Sequence, residues 1–238
     1  MKDPAFKAFL KALLELSIRR NITSVYELQS MAKIPREKAI IASRHLEEKG
    51  IISMVDDGII NLEDMDRIGL SLLAIEEGID VEVAARHLSW RDFERFVGDA
   101  SRAENFKVLN NIHLINKSRR HQIDLLAVRE PLILSIDCKH WKFKLSPSKI
   151  SKAAKAHVER TQALAEHMGK RGSIEGLSLP DRRFYILPVI ALLMEPYNIK
   201  VVSEVPVVPL LKFRDFLRNV PPVPGLEPIK YIPVDPGF

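Results

Sequence analysis

One cysteine in 238 residues, Cys138, excludes an intramolecular disulfide and any zinc knuckle built from several thiolates. Long apolar runs are missing too. The longest, Ile186 to Met194, falls well short of the roughly 20 residues that cross a bilayer. The opening MKDPAFKAFL holds no apolar stretch of signal-peptide length, so the expectation is a cytoplasmic protein without a membrane partner. Internal repeats are absent, and biased composition is confined to the tail. Eight of the 15 prolines follow Val205, and residues 219–238 are expected as a Pro-rich extended arm.

What the chain does have is positive charge, unevenly placed. The formal net charge is +5, which favours an anionic partner without naming it. Met1 to Asp64 holds 10 Lys/Arg against 10 Asp/Glu, and Met65 to Trp90 holds 2 against 5. Arg91 to Arg183 holds 19 against 11, so any basic patch belongs mainly to the second half.

In the first 64 residues, Phe6, Phe9, Leu10, Leu13 and Leu14 recur at helical spacing and predict a helix to about Arg19. Ser24 followed by Glu27 has the capping-box pattern and starts a short helix through Leu28 and Met31. Pro35 suits the first turn of a third helix and Gly50 its stop. Two apolar runs around Asp56-Asp57-Gly58 then read as a hairpin. Three helices and a hairpin resemble the winged-helix family over about Ala5 to Leu62. That resemblance implies a third helix in the DNA major groove and makes Arg36, Lys38, Ser43 and Arg44 candidates to meet DNA. The alternative is that this helix presents an ordinary solvated face, or that the domain docks a protein. Residues 65–89 read as an acidic helical connector expected to pack between two domains.

From residue 90 a helix with Phe93, Phe96 and Val97 leads into strand-like runs near Lys107 to Ile115, Ile123 to Val128 and Leu132 to Lys139. A helix capped by Ser146-Pro147 runs to about Met168, followed by strands near Tyr185 to Met194 and Lys200 to Val208 and a short helix around Phe213. The second and third strands are separated only by Arg129-Glu130-Pro131. A symmetric turn there pairs residues whose numbers sum to 261, which sets Asp124 opposite Asp137 and points Lys139 to the same face. Directly opposed side chains have Cβ atoms about 4.5–5.5 Å apart. Two carboxylates so close repel unless a cation lies between them, and Mg²⁺, with Mn²⁺ as substitute, suits oxygen ligands. Lys139 would polarise or deprotonate a water beside that ion. On the opposite face, Cys138 is read as core rather than nucleophile. His121 and His140 also pair there, lacking the further ligands a zinc site needs.

Asp124 and Asp137-Cys-Lys139, in the order helix, three strands, helix, strand, resemble the PD-(D/E)xK nuclease superfamily in its Mrr-like or resolvase-like branches. The resemblance covers about Trp90 to Leu217. It implies metal binding by Asp124 and Asp137, water activation by Lys139, a further acid at Glu94 and a helper at Gln162. No Pro precedes Asp124, the acid at 137 is Asp rather than the commoner Glu, and Gln122 stands where resolvase-like branches often carry Glu. Lys142, Lys144, Lys149, Lys152 and Lys155 follow within 16 residues of Lys139, with Trp141 beside them, and suit a phosphate backbone.

The expected architecture is therefore α/β. It comprises a winged helix-turn-helix domain (1–64), the connector (65–89), a restriction-endonuclease-like mixed sheet flanked by helices (90–218) and the arm (219–238). The expected function is Mg²⁺-dependent hydrolysis of phosphodiester bonds in DNA. The alternative is a non-catalytic DNA-binding or regulatory protein on a nuclease-fold scaffold. Many such nucleases cut both strands as dimers, so the resemblance allows a homodimer, which no feature of the sequence itself supports.

Overall fold

Asp3 accepts a hydrogen bond from the Ala5 amide and Pro4 occupies the first turn, which sets the start of helix α1 (Pro4–Ser17). The computed structural model describes residues 3–56, 58–141, 146–174, 177–178, 183–193, 200–225 and 228–234. The chain divides into two units, Met1–Asp92 and Phe93–Phe238.

In the first unit α1 is followed by strand β1 (Ile22–Ser24), α2 (Val25–Ala32), α3 (Arg36–Glu48), β2 (Ser53–Asp56) and β3 (Ile59–Asn61). The Ser24 hydroxyl accepts from the Glu27 amide at 3.1 Å, one half of the capping box. The other half is diverted, because the Glu27 carboxylate bonds Arg20 (2.6 Å) and the Thr23 hydroxyl (3.0 Å). Three residues too short to read from sequence form β1, which pairs with β3 to give a sheet ordered β1-β3-β2.

Residues 65–89 correct an expectation. Helices α4 (Arg67–Glu76) and α5 (Val81–Ala85) are not a spacer: Met65, Leu70, Ala74, Ile79 and Ala84 are buried in one cluster with Phe9, Leu13, Leu28, Leu46 and Ile60. Their apolar face completes the core that three short helices and a hairpin leave open.

The second unit is a mixed sheet between helices. Helix α6 (Trp90–Ala103) precedes β4 (Lys107–Asn116), β5 (Arg119–Arg129) and β6 (Leu132–Lys139), and then α7 (Pro147–Arg171), whose first turn is capped by Ser146 accepting from the Lys149 amide. A minor hairpin, β7 (Ser173–Ile174) and β8 (Leu177–Ser178), leads to β9 (Phe184–Leu192). After it come β10 (Val201–Val202), β11 (Val205–Pro209), α8 (Phe213–Asn219) and β12 (Ile232–Val234). The main sheet runs β10-β11-β9-β6-β5-β4, with β6 and β9 parallel and the β4–β5 and β5–β6 pairs antiparallel. This mixed α/β arrangement fits a restriction-endonuclease-like fold.

The β5–β6 ladder follows the sum of 261 from Arg129↔Leu132 to Leu125↔Ile136 and stops there. The β4–β5 ladder also omits Asp124: its pairs pass from Asn110↔Leu125 to Ile112↔Ile123, and Asn111 between them has φ 55°. That kink breaks the strict alternation of faces. Ile123, which regular alternation would put on the face of Leu125, instead lies in the cluster that holds Leu126, Val128, Ile133 and the α7 residues Leu164 and Met168.

The Pro-rich tail is extended but not detached, since β12 pairs antiparallel with the start of β9 while β11 pairs parallel with its end. Ile232 and Val234 are buried in the same cluster as Phe184 and Met168. Ile232→Ala combined with Val234→Ala should therefore cost about 2–4 kcal/mol. Denaturant titration would check this, and a loss within error would mean that β12 adds nothing to the sheet.

Candidate active site

At the point where β5 leaves β6, the Asp124 carboxylate takes over the work of the ladder. Its Oδ2 accepts the Cys138 amide at 2.8 Å, a bond that a strand partner would otherwise make. This is how the structure departs from simple cross-strand opposition. Asp124 and Asp137 stand on diverging strand ends just past the last ladder pair, held through a side chain-to-backbone bond.

Asp137 is 5% exposed, and two cations reach it. Lys139 Nζ lies 2.8 Å from Oδ2, and Arg160 Nη2 donates to Oδ1 at 2.8 Å. Arg160 comes from α7, and no sequence signal singled it out. The polar residue matched by resemblance, Gln162, is exposed on another face of that helix. A hint was present nonetheless: His157 and Thr161 interrupt the apolar stripe Ile150, Ala154, Leu164, Met168, and both are fully buried. Polar groups inside a stripe must find partners there. His157 Nε2 donates to the Ser135 carbonyl at 2.7 Å, leaving Nδ1 as the acceptor facing Arg160 Nη2 at 3.5 Å. The Thr161 hydroxyl bonds Ser135 Oγ at 3.1 Å. Asp137 thus sits at the end of a buried polar network joining β6 to α7.

Charge compensation is uneven. Glu94, on α6, is pushed up to about 7, first by burial and then by the charge of Asp124. Asp124 is itself raised, by burial and by Asp137, against the Cys138 amide, Lys139 and Arg160. Both cations are drawn to Asp137, leaving the Glu94–Asp124 side of the site short of positive charge. Burial also raises the Cys138 thiol well above its usual range, in keeping with its reading as core.

A divalent ion suits this donor chemistry. Asp124 and Glu94 are oxygen donors with no ion pair of their own among the described residues, and the buried Asp137 Oδ2 has a charge contact with Lys139 but no well-aligned hydrogen bond. Among the described residues, no three acidic, histidine or cysteine side chains are already gathered around one point. An ion held by Asp124 and Asp137 therefore requires Lys139 or Arg160 to give up part of its hold on Asp137.

The basic residues divide. Lys149 stacks over Trp141 at 4.7 Å, and Lys152 and Lys155 are exposed on α7. Lys142 and Lys144 lie outside the described residues. In the first unit Arg36 and Arg44 are exposed, while Lys38 is paired with Asp3 at 2.9 Å. Ser43, expected to face DNA, is buried, and its hydroxyl donates to the Ala39 carbonyl.

A family model described as restriction endonuclease (Mrr_cat) matches residues 85–175. The segment contains Glu94, Asp124, Asp137, Lys139 and Arg160, and the match supports a nuclease-like domain of the PD-(D/E)xK type. Such domains typically use divalent metals. Protein VC1899 from Vibrio cholerae, a solved structure, is similar at a TM-score of 0.41 and 10% identity over 90% of this chain and 50% of that one. The chain spans about half the length of that protein. No curated protein matches. No helix among the described residues is long and apolar enough to cross a membrane.

Two opposed proton linkages follow from this site. Burial holds His157 down, from 6.5 to about 4, while Glu94 is raised from 4.5 to about 7. Between about pH 4.5 and 6.5 the folded chain keeps a proton on Glu94 that the unfolded chain has released. Over the same window it lacks one on His157 that the unfolded chain has taken up. As pH falls the first favours folding and the second opposes it, so wild type should be nearly flat from this pair. Glu94→Gln should unmask a loss of about 2–3 kcal/mol toward pH 4.5. His157→Gln should show stability rising as pH falls. Urea titrations across that window measure both, and parallel profiles for the two variants would rule out the opposed linkages.

Proposed function

We propose that the chain is a metal-dependent DNA endonuclease, its second unit catalytic and its first a winged-helix DNA-binding domain. One observation carries the reading. Asp124, whose charge is felt by Glu94, bonds the Cys138 amide between Asp137 and Lys139, and all of these residues lie inside the segment that matches a restriction-endonuclease family. Support for the winged helix is the order α1-β1-α2-α3-β2-β3 with its three-stranded sheet. A groove of about 530 Å³ lined by Arg36, Arg44, Tyr26 and Ile59 adds to it.

Asp124 and Asp137 would hold the ion, with Glu94 at its margin. When bound, it supplies Lewis acidity and lowers the pKa of its water. Arg160 keeps Asp137 ionised and aimed, through its 2.8 Å bond to Oδ1. Lys139, once off Asp137, orients the attacking water and faces the charge that builds on the phosphate oxygens. Glu94 would accept the proton of the water as its oxygen adds to phosphorus and the P–O bond to the leaving strand breaks.

The clean test is Asp124→Asn, because the amide oxygen still accepts the Cys138 amide whereas Asp124→Ala leaves a buried donor unpaired, at about 1–3 kcal/mol. With Mg²⁺ or Mn²⁺ on plasmid, linear, single-stranded and four-way-junction DNA, Asp124→Asn and Asp137→Asn should cut roughly 100-fold more slowly or less. DNA binding without metal should be kept or improved. Wild type that binds DNA yet cleaves none of these substrates would favour the non-catalytic regulatory reading, with Asp137 closed by its two cations.

A further inference from the structure

On the outer edge of the main sheet, β4, β5 and the end of α7 enclose an open cleft of about 590 Å³ lined by His113, Arg120, His121, His167 and Arg171. Five nitrogen-bearing residues from three elements line it, and among the described residues no acidic one does. Glu166, next to His167 on α7, is already engaged by Lys117 at 3.4 Å and by the Asn116 amide at 2.9 Å. His167, on α7, faces β4 residues His113 to Ile115 among the lining of the cleft. Arg120 and Arg171 form no ion pair among the described residues, unlike Arg102, Arg160, Arg214 and Arg218. Guanidinium groups left without a carboxylate beside imidazole donors match the tetrahedral oxygens of a phosphate.

The location narrows the ligand. On the N-terminal side of Leu125 the β4–β5 pair continues without β6, as a two-stranded ribbon with exposed Lys117 in its turn and exposed Arg119 and Arg120 at the start of β5. A ribbon of this width enters a nucleic-acid groove. His121 is three residues before Asp124 on β5, so the cleft and the carboxylates are about 10 Å apart along the strand. This is about three nucleotide steps of 3.4 Å. A free nucleotide would fill the cleft alone, whereas a polymer backbone meets both places at once.

We propose that this cleft binds the phosphodiester backbone of DNA a few nucleotides from the carboxylate site, making the β4–β5 ribbon a phosphate clamp for the second unit. The inference rests on the nuclease reading for its substrate, yet its test does not require cleavage. Fluorescence anisotropy on duplex DNA in EDTA, across a salt series, would compare wild type with Arg120→Ala/Arg171→Ala. The variant should bind roughly tenfold more weakly, and its slope of log affinity against log salt should be shallower by about 1.8, or 0.9 per lost phosphate contact. Arg120→Lys/Arg171→Lys should restore most of the slope, which a folding defect would not allow. An unchanged slope in the alanine pair, or no DNA binding by wild type, overturns the clamp. Inorganic phosphate that competes equally with DNA at millimolar concentration would also overturn it, in favour of a small-anion pocket. Binding that responds as expected in a protein that never cleaves sinks the nuclease reading and leaves the clamp standing.

Discussion

The single bond from the Cys138 amide to Asp124 sets the shape of everything around it. A β-ladder cannot simply end in a buried sheet, because each unpaired amide there costs about as much as a lost hydrogen bond. By accepting that amide, the Asp124 carboxylate lets β5 and β6 part without leaving a buried donor unpaired on β6. The parting provides room for side chains from two helices, Glu94 from α6 and Arg160 from α7, to approach the same strand ends. The residue most exposed to repulsion from its neighbours is thus also the one that fixes their geometry.

Buried charge is handled in two ways on either side of that opening. Asp137 receives two cations and is joined to a neutral, fully buried histidine through Arg160. Glu94 and Asp124 receive none of their own and respond by holding protons more tightly. A site with one saturated and one starved carboxylate cluster is poised for an added positive charge. Its arrival would redistribute Lys139 and Arg160 rather than merely fill a gap.

Much of the second unit was legible because it is built from long, well-bounded segments. Strand β6 has the bounds that its apolar run between Pro131 and His140 implies, and the short turn fixes its register with β5. What escaped was whatever depended on a few residues or on distance in sequence. Strand β1 has three residues and no apolar alternation to betray it. Asn111 adopts a positive φ that no neighbouring glycine announces, opposite the stretch of β5 where Ile123 joins the other cluster. Arg160 is one of many basic residues on α7, and only folding distinguishes it from Lys152 or Lys155. The acidic α4–α5 segment was misjudged because its charge was weighted above its buried leucines and alanines.

Cys138 has a use that its inert chemistry conceals. Its thiol is 3% exposed, and its amide is held by the same carboxylate that spreads the strands. Alkylating reagents reach it only through a local opening of the β5–β6 end, and its amide exchanges with solvent through that same event. The chain therefore carries a native reporter behind its acidic cluster. Labelling rate and amide exchange, read at one residue, would report how often the strand ends breathe and how far an added cation quiets them.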